Sequence, residues 1–410
     1  MRIAFVVGKF PSLSETFILN QITALIERGH EVEIYANRPP MMKSVHEDIK
    51  KYRLLERTHY RLRMPPNSLL RLLKGLGVFV THFLKAPVVL LRCINVFKYG
   101  TYAASLKLLY GAVPLLHLNE YDIVHCHYGP NGLIVAYLKE IGVVHTPFIT
   151  TFHGADANVV PRTQPKNFYE PLFRLGNVFT VSSDFMRGRV QSLGCAEDRI
   201  VKLPVGVDLS KISVTERLSR SKNEVSILTV GQLVEAKGIE YSIRAVAKIL
   251  DKFPNIQYRI AGHGLLYEEL QALVRELGVA AHVHLLGGQT QQQIRRLYED
   301  ADIFVLASVI GRDGAQEGQG LVLLEAQASG LPIISTKIGG IPEGVSDGRS
   351  GFLVPERDVD ALAGKLSHLI DHPEVRAMMG HAGRKHVEEN YDLEKLNEKL
   401  VSLYREMLEG

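Results

Sequence analysis

Tryptophan is absent from this 410-residue chain, cysteine occurs three times, and no acidic residue lies between Arg57 and Asn119. Cys93, Cys126 and Cys195 are odd in number, far apart and without metal-ligand spacing. That pattern excludes a disulfide framework and reads as reduced thiols in a cytosolic chain. A run of about 18 uncharged apolar residues, the length a spanning helix needs, is also missing, because Lys or Arg breaks every stretch from 57 to 119. The apolar run Ile3–Val7, ahead of Gly8 and Lys9, is too short for a signal-peptide core and reads as a first strand. Net charge is small, +4 from 48 basic and 44 acidic side chains, which argues against a nucleic-acid binder. Its distribution is uneven. Nine Lys and Arg fall between Arg57 and Lys107, so the rest of the chain carries 4 − 9 = −5.

What is present is apolar residues in short runs, 46% of the chain, enough for two cores of about 200 residues each. Residues 2–7 form an apolar strand, Ser12 to Glu15 has capping-box spacing, and Phe17, Ile18, Ile22, Leu25 and Ile26 share one face of a following helix. Glu31–Ala36 closes a βαβ unit, and the pattern recurs through 122–127, 147–153 and 178–183. After the loop-like Leu203–Asp208 and the polar tract 215–224, strands at 226–230, 257–261, 283–286, 303–307, 332–335 and 351–354 repeat the grammar. The expectation is an α/β chain of two doubly wound parallel-sheet, Rossmann-like domains, 1–205 and 206–385, with an active-site cleft between them. The periodic helix within 386–410 is expected to pack back on the first domain.

The stretch with most chemistry runs from Glu317 through Gly318, Gly320, Leu321 and Val322 to Glu325, from a loop into a helix. Glycines let backbone N–H groups approach a ligand, and a helix N-terminus offers unpaired donors and a positive dipole to phosphate. Carboxylates there accept hydrogen bonds from sugar hydroxyls. A glycine pair in a loop followed by a solvated helix glutamate fits the local pattern equally well.

Glu317 and Glu325, separated by seven intervening residues and followed by Ala-Gln-Ala-Ser-Gly-Leu-Pro332, resemble the signature of retaining glycosyltransferases of the GT-B fold, family 4 in particular. Val230–Gly238, Ile260–Gly264, Leu285–Gly288, Ala301–Ser308 and Gly339–Glu343 follow in that family's order, and the segments Phe10–Asn20 and Thr151–Asp156 are similar to exopolysaccharide and colanic-acid-type members. The resemblance implies transfer of a hexose from a nucleotide-diphosphate sugar to a glycan or polyprenyl-linked acceptor, with neither cofactor nor metal. It implies that Glu317 and His153 are catalytic. Gln232, Lys237, Gly262, Gly320, Leu321, Val322 and Glu325 would bind the donor, and Gly8 and His127 would lie on the acceptor side. Lys237 would stabilise the leaving diphosphate, a contribution of roughly 3 to 4 kcal/mol for a preorganised donor. Gln232 departs from the family's usual Arg and removes one diphosphate cation.

Other features keep two readings each. His153 either faces the cleft or caps a strand end, while His125 is expected to be structural. The pair Gly339-Gly340 is either a tight turn or a backbone contact to donor. Asp300-Ala-Asp302 is rejected as a metal motif, because it sits at the amino end of its strand. The basic apolar segment 57–119 either packs on its own domain or lies on an anionic membrane surface, which would place the protein peripherally on the inner face of a membrane. A nucleotide-sugar epimerase or hydrolase of the same architecture, or a non-catalytic assembly module, are the alternative functions.

Overall fold

The computed structural model describes residues 1–12, 15–39, 47–116, 118–214 and 224–409. The chain forms two compact units, Met1–Val181 with Arg187–Leu203 and Asn397–Gly410, and Ser182–Met186 with Pro204–Leu396. Each is an α/β unit wound around one parallel sheet.

In the first unit the strands are β1 (Arg2–Lys9), β2 (Glu31–Arg38), β3 (Thr58–Tyr60), β4 (Ile123–His127), β5 (Phe148–Phe152), β6 (Val178–Val181) and β7 (Ile200–Lys202). They lie in the order β3-β2-β1-β4-β5-β6-β7, all parallel. Helices cover both faces, so the central strands must be apolar throughout, and Ile3 to Val7 are at most 1% exposed. Ile3, Phe5 and Val7 pack with Ile22 and Leu25 of the helix Thr16–Glu27 and with Leu400, Val401 and Tyr404 of the C-terminal helix Leu393–Glu409. Strand order reverses between β1 and β4, and in such sheets ligands bind outside the carboxyl ends at that switch. Gly8 and His127 stand at those two ends.

One local expectation fails. The helix after β1 begins at Thr16, with Glu15 as its N-cap and no side chain capping it, so Ser12 to Glu15 is not a capping box. Residues 13 and 14 of that motif lie outside the described residues. Burial pushes the Glu15 carboxyl up, against hydrogen bonds from Tyr128 and Ser12 that lower it.

The second unit carries β8 (Val225–Val230), β9 (Ile256–Ala261), β10 (Val283–Gly287), β11 (Ile303–Leu306), β12 (Ile333–Thr336) and β13 (Gly351–Val354). The parallel order is β10-β9-β8-β11-β12-β13, with its switch between β8 and β11. Ile227, Tyr258 and Ile260 form the core with Ile243 and Val246 of the helix Ile239–Ile249. Asp302 locks the opposite edge: its carboxylate accepts from the Ser226 N–H at 2.9 Å and its own N–H donates to the Ser226 carbonyl at 2.7 Å. That bonding is structural, and among the described residues no group of three or more His, Cys, Asp or Glu is placed to hold a metal ion. The polar tract expected at 215–224 falls outside the described residues apart from Glu224.

All three cysteines are free and buried, and burial pushes the Cys93 and Cys195 thiols up to about 12. Among the described residues no helix is long and apolar enough to cross a membrane.

Candidate functional site

In the second unit the chain leaves β8 through Gly231 and β9 through Gly262, and the two loops are laced together. The Gly231 N–H donates to the Ala261 carbonyl at 3.0 Å, and the Leu233 N–H to that of His263 at 2.9 Å. A Cβ at Gly262 would overlap the Gly231 carbonyl oxygen. Gly262 therefore has a packing reason to be glycine, because it lets the β9 loop touch the β8 loop, on which Gln232 is exposed. Gly238, at φ +56°, ends the turn Glu235–Lys237 and starts the helix Ile239–Ile249 in a left-handed conformation that side chains disfavour.

That turn delivers Lys237 to Glu317. The ammonium and the carboxylate form an ion pair, with side chains 22% and 11% exposed. The Glu317 loop is fixed from behind. The Gly340 N–H donates to the Glu317 carbonyl at 3.0 Å, the Ser183 hydroxyl donates to the Gly318 carbonyl at 2.6 Å, and Gln319 exchanges two hydrogen bonds of 2.8 Å with the backbone of Val205. Side chains at Gly339 and Gly340 would overlap the carbonyls of Glu317 and Gly318. The Gly339-Gly340 pair thus supports the carboxylate loop by letting two backbones touch.

Gly320, at φ +80°, opens the helix Leu321–Ala328, and no side chain caps that helix. Its first-turn N–H groups, Leu321 and Val322 among them, form the kind of unprotected terminus that attracts anions. One turn on, Glu325 accepts a hydrogen bond from the Tyr298 hydroxyl at 3.0 Å. Burial raises the Glu325 carboxyl to about 7, with Tyr298 and Arg295 pulling it down. Two carboxylates eight positions apart are therefore electrostatically different, one ion-paired and one pushed by burial above the usual carboxylate range.

In the first unit, β4 and β5 bring three imidazoles into a stack. The rings of His125 and His127 lie 4.5 Å apart and those of His127 and His153 5.2 Å apart at an interplanar angle of 9°. His125 is spent on structure: Nδ1 meets the Tyr404 hydroxyl at 2.5 Å and Nε2 the Thr151 hydroxyl at 2.7 Å. His127 Nδ1 meets His153 Nε2 at 2.9 Å, whereas its own Nε2 is buried without a hydrogen-bond partner among the described residues. Burial drives His125 and His153 down to about 3 and His127 well below its ordinary value, so all three are neutral at physiological pH. His153 is framed by Phe17 and Tyr128, ring centroids at 4.8 and 4.7 Å. Gly8 is partly exposed, with open space where a side chain would sit.

Asp156 and Tyr128 organise this cluster, and sequence reasoning assigned neither a role. The buried Asp156 carboxylate accepts from the N–H groups of His153, Gly154 and Gly129 at 2.9–3.0 Å, which fixes the His153 turn and caps the helix Gly129–Glu140. Its place in the first turn of the helix Ala155–Asn158 is the available signal, because an acid there reaches back to the backbone N–H groups at the helix start. Tyr128 holds φ +72°, strained for a bulky residue, and its N–H donates to the Thr151 carbonyl at 2.8 Å. Nothing in the sequence links Tyr298 to Glu325, 27 positions away.

The chain is similar to known glycosyltransferases. Residues 14–211 match the model of Glycosyltransferase Family 4, and residues 213–386 match that of Glycosyl transferases group 1. The chain is 33% identical to a putative colanic acid biosynthesis glycosyltransferase, WcaL, of Salmonella typhimurium, over 98% of this chain and 99% of that one. It is 32% identical to the amylovoran biosynthesis glycosyltransferase AmsK of Erwinia amylovora, over 90% of each. In fold it is similar to Anabaena Alr3699/HepE, solved in complex with UDP and glucose, with a TM-score of 0.75 at 17% identity over 99% of this chain and 100% of that one. With a relative above 30% identity along nearly its whole length and family matches in both halves, the chain belongs to the family 4, group 1 glycosyltransferases, of the two-domain GT-B fold.

Proposed function

We propose that this protein is a retaining hexosyltransferase of exopolysaccharide biosynthesis, moving a hexose from a nucleotide-diphosphate sugar to a glycan or polyprenyl-linked acceptor at the inner face of a membrane. The observation that carries the reading is the Lys237–Glu317 ion pair in the same unit as the uncapped helix terminus at Gly320. In this reading the diphosphate takes its charge compensation from Lys237 and from the N–H groups of Leu321 and Val322, without a divalent ion. Gln232 adds hydrogen bonds but no charge. Glu325 accepts from the ribose hydroxyls, and Glu317, released from full pairing with Lys237, faces the hexose near its reacting carbon. The neutral His153 hydrogen-bonds the hexose or acceptor, with His127 behind it and Gly8 leaving room for the acceptor.

The acceptor oxygen attacks the anomeric carbon on the face from which the diphosphate leaves. The bond from that carbon to the diphosphate oxygen breaks, and the acceptor proton passes to the departing diphosphate. Glu317 positions and stabilises the developing charge on the sugar. The names of the relatives support the polysaccharide setting, and the UDP and glucose bound to the Anabaena protein support a nucleotide-sugar donor. Substituting Glu317→Gln should reduce turnover at least about tenfold while thermal unfolding stays unchanged. Wild-type turnover in that variant would remove Glu317 from the chemistry.

A further inference from the structure

The helix Ser68–Phe83 is attached to the first unit along one side only. Gly75 is its buried residue, close against Leu106, Leu109 and Tyr110. The Tyr110 hydroxyl donates to the Arg71 carbonyl at 2.9 Å, and the Arg71 guanidinium donates to the carbonyls of Pro65 and Pro66 at 2.9 Å. On the far side, Leu69, Leu72, Leu73, Leu76 and Val80 recur at helical spacing in a stripe about 100° wide. An amphipathic helix of a globular domain turns such a stripe inward. Here the five side chains are 58–68% exposed. The apolar surface continues past the helix end, where Leu84 is 94% exposed, to Val88 and Leu91 on the next helix, Pro87–Cys93. Contiguous exposed apolar surface of this kind marks an interaction site.

Charge selects the occupant. From Arg57 to Asn119 there is no acidic residue. Lys74 and Lys85, on the helix and just beyond it, are exposed, and no described acidic residue pairs with them. A second copy of the chain laid on the stripe would bring its own Lys74 and Lys85 against these, and like charges across an interface disfavour that contact. An anionic bilayer satisfies both features, because its acyl boundary takes leucines and its headgroups take ammonium groups.

We propose that the leucine stripe of Ser68–Phe83, bordered by Lys74 and Lys85, docks the first unit on an anionic phospholipid surface. The proposal rests on the transferase reading in one respect, that a lipid-borne acceptor is a reason to dock; the surface itself is independent of the donor residues. The test is flotation of the full chain with phosphatidylcholine vesicles and with phosphatidylcholine vesicles containing phosphatidylglycerol. Wild type should float with the anionic vesicles, less so as salt rises. Leu72→Glu with Leu76→Glu should lower the bound fraction at least about tenfold. Lys74→Glu with Lys85→Glu, which touches no apolar packing, should abolish the preference for anionic vesicles. Thermal stabilisation by a nucleotide-sugar is measured on the same variants and should be unchanged, so loss of docking and failure of the transferase reading are told apart. Absence of flotation in wild type, equal flotation of wild type and the leucine variant, or a dimer in solution that the leucine variant splits would each overturn the proposal.

Discussion

The histidine cluster of the first unit and the carboxylate cluster of the second stand at equivalent places, the carboxyl edge of a parallel sheet, yet their electrostatics are opposite. His125, His127 and His153 are held neutral by burial, with hydrogen bonds between rings and hydroxyls in place of charge. The second unit keeps charge and pairs it: Lys237 with Glu317, and Glu325 with a tyrosine hydroxyl. A neutral cluster suits recognition of hydroxyl-rich sugar, where hydrogen bonds without net charge suffice. A charged cluster suits a diphosphate leaving group, whose negative charge grows as the bond breaks.

The comparison breaks first at Lys237. Lys237→Ala should lower turnover by about a hundredfold, measured at saturating donor, and also leaves the Glu317 carboxylate unpaired. On the other side, His153→Ala should lower turnover by about tenfold, the scale of one lost hydrogen bond. A fall at His153 as large as that at Lys237 would erase the division of labour.

The pH dependence of stability sharpens the same contrast. For His125 and His153 the folded value of about 3 lies below the ordinary 6.5, so the stability they confer is complete above pH 6.5 and is lost as pH falls below it. For Glu325 the folded value of about 7 lies above the ordinary 4.5. Its contribution is complete below pH 4.5 and is lost as pH rises through 7. Glu325→Gln should therefore stabilise the ligand-free protein at pH 8 relative to wild type and make little difference at pH 5, as read by thermal unfolding. The smallest expected effect is Tyr298→Phe. Removing the hydrogen bond that lowers Glu325 should move the midpoint of that pH dependence upward, by less than about one unit.

How far the sequence alone reaches differs between the two clusters. Fully apolar runs such as Ile3–Val7 and Ile303–Leu306 announce buried parallel strands, and the repeated alternation with helical patterns announces two doubly wound units. The three-residue strands β3 and β7 carry no such pattern, since edge strands this short bury little and leave periodicity unreadable. In the second unit Glu317, Gly320 and Glu325 are read from one continuous stretch. Their partners are not: Tyr298 and Lys237 arrive from other elements, and the glycines Gly262, Gly339 and Gly340 are explained only by the carbonyl each would strike. In the first unit His127 and His153 meet because β4 and β5 are neighbours, a fact of topology. Asp156 and the strained Tyr128 are visible only when the backbone is followed through its turns. The capping box at Ser12 shows the reverse error, a local signal that does not set the helix start, which falls at Thr16 with Glu15 as N-cap.

Binding of the donor diphosphate at Lys237 and the helix terminus of the second unit underlies these expectations. It is tested most directly by calorimetric titration of the nucleotide-sugar that most raises thermal stability, into wild type, Lys237→Ala and His127→Gln. One site is expected in wild type, with affinity lower by about tenfold or more in Lys237→Ala and unchanged in His127→Gln. Equal affinity in wild type and Lys237→Ala, or a loss in His127→Gln alone, would contradict it.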